Sequence, residues 1–273
     1  MKLLVLGHTG MVGHVMFLYL KEHNHDVTGI EQSHLHDIDT LSNTILTGNF
    51  DSVINCTAVI NQFAEEDKAE ASFINAYIPH LIEKLTEGTN TIIVHRSTDC
   101  VFSGAKGGYT LSDIPDAQSF YARTKAVGEI INDKDVTIRT SLVGPEQDEN
   151  GISLLNWFLK QKGDVNGFAN AIWTGLTTIE FAKEVEYLIR HKAHGLFHTV
   201  PDHGIGKYDL LKLFAKYFQG DRKVIRVENR LVDKSLAQTT GETGLYIPDY
   251  EQQIEEMAEW INSHSELYPS YYR

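Results

Sequence analysis

The sequence has few cysteines and no low-complexity tract. Only 2 of its 273 residues are cysteine, and hydrophobic residues make up 42% of the chain. Two cysteines cannot build the disulfide framework of a small secreted domain. Cys56 and Cys100 each follow a hydrophobic stretch, so we expect reduced, packed thiols and a cytoplasmic protein. The apolar fraction is high enough for a sizeable core.

Long apolar runs and positive charge are also scarce. No apolar run approaches the roughly 20 residues of a membrane-spanning helix. Lysine and arginine number 24 against 37 acidic residues, which gives a net charge of −13. We therefore expect no nucleic acid and no membrane among the partners. A small anionic ligand is still compatible with this charge, because helix N-termini bind phosphate groups. The opening "MKLLVLGHTG" runs directly into a glycine turn, which is typical of a first strand rather than of a signal peptide.

The sequence has 13 histidines, which raises the question of a metal site. Gly195 interrupts any helical face through the second histidine group, and no cysteine or carboxylate completes a ligand set. We therefore expect surface or loop histidines and no metal site. The two groups considered are His34 with His36, and His191 with His194 and His198.

Up to residue 144, short apolar β-rich runs alternate with helical stretches. Near-continuous apolar strands separated by helices are typical of a parallel sheet covered on both faces. The expected fold is α/β, a Rossmann-type doubly wound parallel sheet. The predicted strands are 2–7, 26–31, 51–58, 90–98 and 135–143, and the predicted helices are 11–23, 65–85 and the segment around Tyr121.

Residues 1–144 are thus predicted to form the Rossmann core, and residues 145–273 a smaller lobe with some segments returning to the core. The lobe is expected at the carboxyl edge of the sheet, where ligands of such folds bind. Two capping patterns mark helix starts in the lobe, Thr177-x-x-Glu180 and Asp249-x-x-Gln252. The predicted lobe helices are 151–161, 177–190, 206–218 and a last one after Asp249.

Three glycines, Gly7, Gly10 and Gly13, join the first strand to its helix in "LGHTGMVGH". Glycines at this point allow a tight turn, close approach of the backbone to a pyrophosphate, and close packing of helix on strand. The spacing is GxxGxxG, and its place between a strand and a helix is the required context. We predict a dinucleotide site here. The turn residues Thr9, Met11 and Val12 are included among the expected cofactor contacts.

The end of the second strand predicts which dinucleotide is bound. Glu31 lies there, and no lysine or arginine follows within the next ten residues. A carboxylate accepts hydrogen bonds from ribose hydroxyls but repels a 2′-phosphate, which favours NAD(H). His34 or His36 could meet a phosphate, so NADP(H) stays open as the alternative. Asp37 and Ile38 are predicted beside the adenine.

The stretch "SFYARTKAVGE" (119–129) places Tyr121 and Lys125 four residues apart. In a helix these positions lie above one another on one face, so the phenol and the amine can share a pocket. The same spacing also fits a half-buried tyrosine beside a solvated lysine, so the pair alone does not decide between the two.

Taken together, these residues resemble the extended short-chain dehydrogenase/reductase family, and within it the dTDP-4-dehydrorhamnose reductase type. The likeness extends more loosely to the final helix and covers nearly the whole chain. It rests, in order, on "GHTGMVG", "VINCTAVINQ", "FINAYIPH", "STDCVFSGAKGGYTLSDIPDAQSFYARTKAVGE" and "IRTSLVG", and more weakly on "GLTTIEFAKEV" and "GLFHTV".

The resemblance implies a catalytic set of Thr98, Tyr121 and Lys125. Thr98 would donate a hydrogen bond to a substrate carbonyl, and Tyr121 would deliver a proton to the developing alkoxide. Lys125 would hold the nicotinamide ribose and lower the pKa of the phenol.

The resemblance also implies further contacts with the two ligands. On the substrate side it points to "NGFANAIWTG" and "VDKSL", with Trp173 against a base or sugar and Lys234 on a phosphate. The implied cofactor contacts are Cys56, Thr57, Ala58, Asn75 and Ser97, in addition to Tyr121 and Lys125.

The run Thr98-Asp99-Cys100 departs from the Thr-Asp-Glu that is typical of the family's dehydratases. Without the glutamate, dehydration lacks its base. The likeness therefore favours reduction of a 4-keto-6-deoxy sugar nucleotide in polysaccharide biosynthesis. The nucleotide is either UDP or dTDP. A nucleotide-sugar 4-epimerase is the nearest alternative. A non-catalytic regulatory subunit like the methionine adenosyltransferase β subunit is another. The oligomeric state stays open, with a homodimer as one possibility.

Overall fold

Six strands of the computed structural model form a central parallel sheet. The structure describes residues 1–218, 222–229, 231–239 and 244–272. The strands are β1 (Lys2–Leu6), β2 (Asp26–Ile30), β3 (Ser52–Asn55), β4 (Ile92–Arg96), β5 (Val136–Arg139), β6 (Ser141–Val143), β7 (Val165–Phe168), β8 (Ala171–Trp173), β9 (Gly175–Thr177), β10 (Gly195–His198), β11 (Ile205–Gly206), β12 (Val224–Val227) and β13 (Val232–Asp233). The helices are α1 (Met11–Glu22), α2 (Ile38–Gly48), α3 (Asn61–Glu66), α4 (Lys68–Ser72), α5 (Ile78–Leu85), α6 (Phe120–Val127), α7 (Leu154–Lys160), α8 (Thr178–Arg190), α9 (Lys207–Phe218) and α10 (Tyr250–Ser263).

The central sheet runs β2–β1–β3–β4–β5–β10, and every neighbouring pair in it is parallel. Side chains of β1 alternate between its two faces, as the pleat requires. Leu3 and Val5 join one buried cluster, and Leu4 and Leu6 join another. Both faces of the sheet are therefore covered, which confirms the predicted doubly wound fold.

The chain reverses its direction of winding between β1 and β3. After β1 it adds β2 on one side, and then crosses to β3 on the other. The loops that leave the carboxyl ends of β1 and β3 therefore diverge and open a crevice, which is the ligand position of such sheets. The glycine turn follows β1, and Cys56 follows β3.

The predicted helix 65–85 is interrupted at Asp67, between α3 and α4. From Lys68 it continues to Leu85 through α4, a π turn at Phe73–Tyr77, and α5. Such single-turn π segments re-aim side chains and recur at functional sites. Here the π turn contains Asn75, which is fully buried.

The predicted strand 135–143 is also divided, at Thr140. Its first part, β5, belongs to the central sheet, whereas its second part, β6, pairs with β9. Helix α2 was not predicted. Its N-terminus is capped by Asp37, whose carboxylate accepts from the Thr40 N–H at 3.0 Å.

The two predicted capping patterns in the second half of the chain are confirmed. The Thr177 hydroxyl accepts from the Glu180 N–H at 3.2 Å, and the Asp249 carboxylate accepts from the Gln252 N–H at 2.9 Å. Helix α8 packs against α1, and β10 forms the sixth strand of the central sheet. Within the described parts of the chain, no helix combines the length and apolar character that crossing a membrane requires.

Candidate active site

The glycine turn after β1 forms the floor of the crevice. Gly7 has a φ of +77°, a conformation that L side chains rarely adopt, and its N–H donates to the Ile30 carbonyl at 2.7 Å. A Cβ on Gly13 would lie 2.0 Å from the Gly7 carbonyl oxygen. Helix α1 therefore packs so closely on the turn after β1 that only glycine fits at position 13.

Helix α1 begins at this turn with Gly10 as its N-cap and no side chain capping it. The first N–H groups of a helix have no partner within the helix, and its dipole favours an anion there. Because no side chain takes these N–H groups, they are available to a pyrophosphate.

A cavity of about 490 Å³ extends from this turn across the carboxyl ends of β3 and β4. It unites segments that are far apart in the sequence. Of the predicted cofactor and catalytic residues, those that line the cavity are Gly7, Thr9, Gly10, Met11, Val12, Cys56, Ala58, Thr98 and Tyr121.

Several predicted residues lie behind the lining. Gly13 and Thr57 pack beneath the turn, the Thr57 methyl lying 2.9 Å from where a Gly7 Cβ would be. Ser97 is fully buried, and its hydroxyl donates to Glu129 at 2.6 Å instead of facing the crevice.

Asn75 holds the crevice wall in place with its side chain. The carboxamide accepts from the Val59 N–H at 2.9 Å and donates to the Val59 carbonyl at the same distance. It also donates to the Thr124 hydroxyl at 3.1 Å, on the same helix as Tyr121. Asn75 therefore ties the loop after β3 to helix α6.

The residues predicted on the adenosine side, Glu31, Asp37 and Ile38, are not among those that line the crevice. Glu31 follows β2 and accepts a long hydrogen bond of 3.4 Å from Ser33. The exposed Asp37 carboxylate is engaged with Thr40, and Ile38 packs on the core. Gln32, which the sequence did not single out, lines the crevice and accepts from the Ala58 N–H at 3.1 Å.

Tyr121 and Lys125 share one face of α6, as predicted, but in different environments. Tyr121 lines the crevice and is 6% exposed. Burial raises the pKa of Tyr121 to about 12, and the Arg96 charge opposes this rise. Lys125 lies fully buried behind the crevice, where its Nζ donates to the Arg96 carbonyl at 2.7 Å.

Thr98 stands at the start of the short 3₁₀ turn Asp99–Val101. Its hydroxyl accepts from the Cys100 N–H at 3.1 Å and donates to the Asp99 carboxylate at 3.2 Å. Burial raises the pKa of Tyr121, and the Thr98 side chain opposes that rise. Thr98 and Tyr121 both line the crevice.

A second cavity, of about 370 Å³, adjoins the first, and the two share Cys100 and Ser141. It brings together two of the three residues predicted for the substrate, Trp173 and Lys234. The third, Thr98, lines the first cavity. Trp173 is 5% exposed, and the Lys207 ammonium lies 4.9 Å from its ring centre. A base could therefore stack on that face of the ring only if Lys207 moved.

Lys207 is a lining residue that sequence reasoning missed. It is the first residue of α9, and no motif marks it. Burial lowers the pKa of Lys207 to about 8, and the charge of Asp99 opposes this shift. The cavity wall thus holds two lysines, Lys207 and Lys234, beside the buried Asp99.

Arg96 is a further lining residue that was missed, after Gln32 and Lys207. It ends β4 and lines the crevice together with Thr98 and Tyr121. Its position at the carboxyl end of a central parallel strand was the signal that could have identified it. In the described part of the chain, no three His, Cys, Asp or Glu side chains are grouped so that they could hold a metal ion.

The fold and this crevice define a Rossmann-type protein with the site of a short-chain dehydrogenase/reductase. The chain belongs to the dTDP-4-dehydrorhamnose reductase-like family, whose model, described as RmlD substrate binding domain, matches residues 1–259. The predicted family is thereby confirmed.

Individual relatives agree with this placement. The chain is 26% identical over 237 residues to a dTDP-4-keto-6-deoxy-D-glucose reductase of Streptomyces niveus, covering 82% of this chain and 81% of the relative. Three other curated relatives are matched over 44–45% of their own length.

Solved structures show the same architecture. A dTDP-4-dehydrorhamnose reductase of Bacillus anthracis in complex with NADP superimposes with a TM-score of 0.83, covering 96% of this chain and 99% of the other at 20% identity. A dTDP-4-dehydrorhamnose reductase of Clostridium acetobutylicum gives a TM-score of 0.80 at 25% identity, covering 96% and 100%.

Proposed function

We propose that this protein catalyses the NAD(P)H-dependent reduction of a 4-keto-6-deoxy sugar nucleotide. The observation that carries this proposal is the meeting of the two cavities at Cys100 and Ser141, next to Thr98 and Tyr121. A dinucleotide in the first cavity and a sugar nucleotide in the second would bring their reacting ends to this junction.

The residues of the first cavity fit a nicotinamide dinucleotide. The turn at Gly7, the close packing at Gly13 and the uncapped start of α1 together form a pyrophosphate cradle. When bound, the reduced cofactor supplies the hydride. Lys125 would approach the nicotinamide ribose from behind Tyr121. The preference for NADH over NADPH, which Glu31 favours, stays a prediction.

Thr98 and Tyr121 would act on the carbonyl oxygen of the substrate. The Thr98 hydroxyl, which donates to Asp99 in this structure, would rotate to donate to that oxygen. The O–H bond of Tyr121 then breaks as its proton passes to the oxygen, which becomes the product hydroxyl. Donors held at fixed positions stabilise the negative charge that develops there.

Dehydration is disfavoured by the residue at the junction. A dehydratase needs a base where Cys100 stands. Burial raises the pKa of the Cys100 thiol to about 11, so the group is protonated at neutral pH and cannot take a carbon-bound proton. This supports reduction over elimination.

The second cavity would hold the sugar nucleotide. Lys234 and Lys207 supply positive charge for a phosphate or for sugar hydroxyls, and Trp173 supplies an apolar wall. Since the Streptomyces relative is named for a dTDP-sugar, dTDP-linked substrates are the first to test, with UDP-linked sugars beside them.

The direct experiment incubates the protein with dTDP- and UDP-4-keto-6-deoxy sugars and either reduced cofactor, and follows absorbance at the nicotinamide band. We expect cofactor oxidation with one of these sugars. A 4-epimerase would convert its substrate without added reductant, and a regulatory subunit would convert none.

The matched variant is Tyr121→Phe, which keeps the ring and removes the proton donor. General acid catalysis contributes roughly 10²–10⁴-fold, so we expect a fall of at least about 100-fold in kcat with cofactor binding retained. Tyr246→Phe, at a tyrosine that is 76% exposed, is the control. An unchanged rate in Tyr121→Phe would refute the assigned role.

A further inference from the structure

A buried histidine lies next to the glycine turn. His14 is on the first turn of α1, one residue after Gly13, and its residue surface is 3% exposed. Its Nδ1 lies 2.9 Å from the Gly10 carbonyl oxygen, and its Nε2 lies 2.8 Å from the Tyr268 hydroxyl oxygen. Two buried hydrogen bonds thus join the start of α1 to the segment that follows α10.

The partners of the ring define its tautomer. A carbonyl oxygen can only accept, so the Nδ1 of His14 must carry the proton that it donates to Gly10. Burial lowers the pKa of His14, and the hydrogen bond to Gly10 opposes this shift. At neutral pH the ring is therefore neutral, and a neutral ring with its proton on Nδ1 accepts at Nε2. The Tyr268 hydroxyl is the donor to that nitrogen.

A third group completes a chain of hydrogen bonds. Trp260, on α10, donates its indole N–H to the Tyr268 hydroxyl oxygen at 3.1 Å. Because an indole N–H can only donate, the Tyr268 proton is left for His14. Tyr268 has no exposed surface, and burial raises its pKa to about 12, so the phenol keeps that proton. The hydrogen-bond chain runs in one direction, from Trp260 through Tyr268 and His14 to the Gly10 carbonyl.

The hydrogen-bond chain ends on the peptide group that begins α1. The Gly10 carbonyl accepts from both the Nδ1 and the backbone N–H of His14, at 2.9 Å each. In a trans peptide the N–H lies opposite the carbonyl, so a fixed Gly10 carbonyl also fixes the Met11 N–H. The first N–H groups of a helix point out of its N-terminus, here toward the crevice that Gly10 and Met11 line.

Glycines give the turn its close approach to a ligand, but also its backbone freedom. Gly7 and Gly10 have no side chains that would restrict their conformations. A loop that is held in its bound conformation beforehand binds more tightly, because less ordering is needed on binding. The Nδ1 of His14 supplies such a restraint from the helix side, and Tyr268 holds the imidazole itself in place.

The far end of the hydrogen-bond chain lies outside the part of the sequence that matches the family. The family model matches residues 1–259, and Trp260 and Tyr268 follow it. Tyr268 nevertheless belongs to the same buried cluster as Val12 and Val15 of α1. The segment after α10 therefore packs on the helix that begins at the cofactor turn.

We infer that His14 is a positioning residue for the dinucleotide and that Tyr268, from the C-terminal segment, orients His14. Held by the hydrogen-bond chain, the Met11 N–H is in place to donate to the pyrophosphate. His14 acts through the peptide group between Gly10 and Met11 and takes no part in proton or hydride transfer. The inference rests on the proposed function in one respect, that the first cavity binds a nicotinamide dinucleotide.

The first test measures Kd for NADH and NADPH by fluorescence titration, without a sugar nucleotide. His14→Leu removes the donor to Gly10 and is expected to raise Kd about tenfold, the effect of roughly one hydrogen bond. His14→Asn places an amide N–H₂ where Nδ1 stood, so Kd is expected to rise by less than about threefold. If His14→Asn binds the cofactor as weakly as His14→Leu, the donor to Gly10 is not the cause.

Tyr268→Phe removes the hydroxyl that orients the imidazole, and Kd is expected to rise about threefold or more. Since Tyr268 acts through His14, the double variant His14→Leu/Tyr268→Phe should bind the cofactor no more weakly than His14→Leu alone. Losses that multiply in the double variant would overturn the role of Tyr268.

Tyr19→Phe is the matched control. Tyr19 is a buried tyrosine toward the other end of α1, and its hydroxyl donates to Glu186 on α8 at 2.9 Å. Its removal loosens α1 without touching the hydrogen-bond chain, so Kd should be unchanged. An equal rise of Kd in Tyr19→Phe and His14→Leu would overturn the inference. With a sugar nucleotide present, His14→Leu should raise KM for the cofactor and leave kcat at saturating cofactor unchanged.

A cofactor-free measurement adds an independent test. ¹⁵N NMR of the histidine rings distinguishes the two neutral tautomers, and the His14 signals are identified by their absence from His14→Asn. We expect the Nδ1–H tautomer, and the Nε2–H tautomer would overturn the inference. Should His14→Leu not fold, this tautomer and Tyr268→Phe decide.

Failure of the proposed function gives a different result. If the wild type binds NADH or NADPH but reduces no sugar nucleotide, the proposed function fails, and the Kd values still decide the role of His14. If the wild type binds neither cofactor, the proposed function and this inference both fail.

Discussion

Lys207 shows how one side chain at the start of a helix can set the affinity for a ligand. It lines the second cavity with its ammonium over Trp173. A charge-assisted hydrogen bond to a phosphate or sugar oxygen is worth roughly 1.5–3 kcal/mol. We therefore expect Lys207→Met to raise KM for the sugar nucleotide about tenfold or more, with a smaller effect on kcat.

Lys212→Met is the matched control, on the exposed side of the same helix α9. Because burial lowers the pKa of Lys207 to about 8, the ammonium is lost as the pH rises through that value. The wild-type KM should therefore rise above about pH 8, and the KM of Lys207→Met should not. Equal KM values for the two variants would contradict this role.

At the scale of elements, the contact between α1 and β1 depends on Gly13. An added methyl would lie 2.0 Å from the Gly7 carbonyl oxygen, so the helix would have to move away. Overpacking of this kind costs typically 1–3 kcal/mol. We expect Gly13→Ala to lower the free energy of unfolding by that amount and to weaken cofactor binding, measured by urea unfolding and by cofactor titration.

Gly10→Ala is the comparison on the same turn. Its added methyl would lie 3.5 Å from the Gly7 oxygen, an ordinary contact, and its φ is −77°. The loss of stability should be below about 1 kcal/mol. A loss as large as that of Gly13→Ala would show that close packing of α1 is not the cause.

Helix α8 carries a buried carboxyl, Glu184, with no exposed surface. Burial raises its pKa well above the ordinary 4.5, the Glu180 charge raises it further, and the nearby Thr199 side chain opposes both. The group is neutral when folded and ionised when unfolded at neutral pH. Its contribution to stability is therefore complete below about pH 4.5 and is lost as the pH rises toward the folded pKa.

Glu184→Gln removes this pH dependence. We expect it to raise the free energy of unfolding by at least about 1 kcal/mol at pH 8, the energy of roughly one pKa unit, and by little at pH 4. Glu255→Gln, at an exposed position of α10, should change neither value. A stability gain of the same size at both pH values would rule out ionisation as the cause.

For the whole molecule, binding of a dinucleotide to the folded state alone must raise its stability. At a concentration 100 times Kd the gain is about 2.7 kcal/mol. We expect NADH and NADPH to raise the unfolding temperature, and the Glu31 carboxylate predicts the larger rise with NADH. Glu31→Gln should reduce the difference between the two. If neither cofactor changes the unfolding temperature, the crevice is not a dinucleotide site.

Three properties of the whole molecule stay predictions. These are the cytoplasmic location, the possible homodimer, and the division into a core of residues 1–144 and a lobe of residues 145–273. β10 and α8 come from the second half of the chain yet pack in the central layers.

The sequence by itself determined the fold class, the glycine turn and the helix that carries Tyr121 and Lys125. Each depends on residues close together in the chain, because periodicity, backbone freedom and capping are local properties. The π turn around Asn75 was not visible in the same way, since a π turn is decided by what it packs against.

Only the tertiary structure decided which side chains share the site. It placed Ser97 on Glu129 and away from the crevice, put Arg96 in the crevice lining with Tyr121, and brought Lys207 to Lys234. It also decided that Lys125 lies behind the crevice against His95. These contacts join strands and helices that are distant in sequence, so burial and charge at each group depend on the packing of the whole chain.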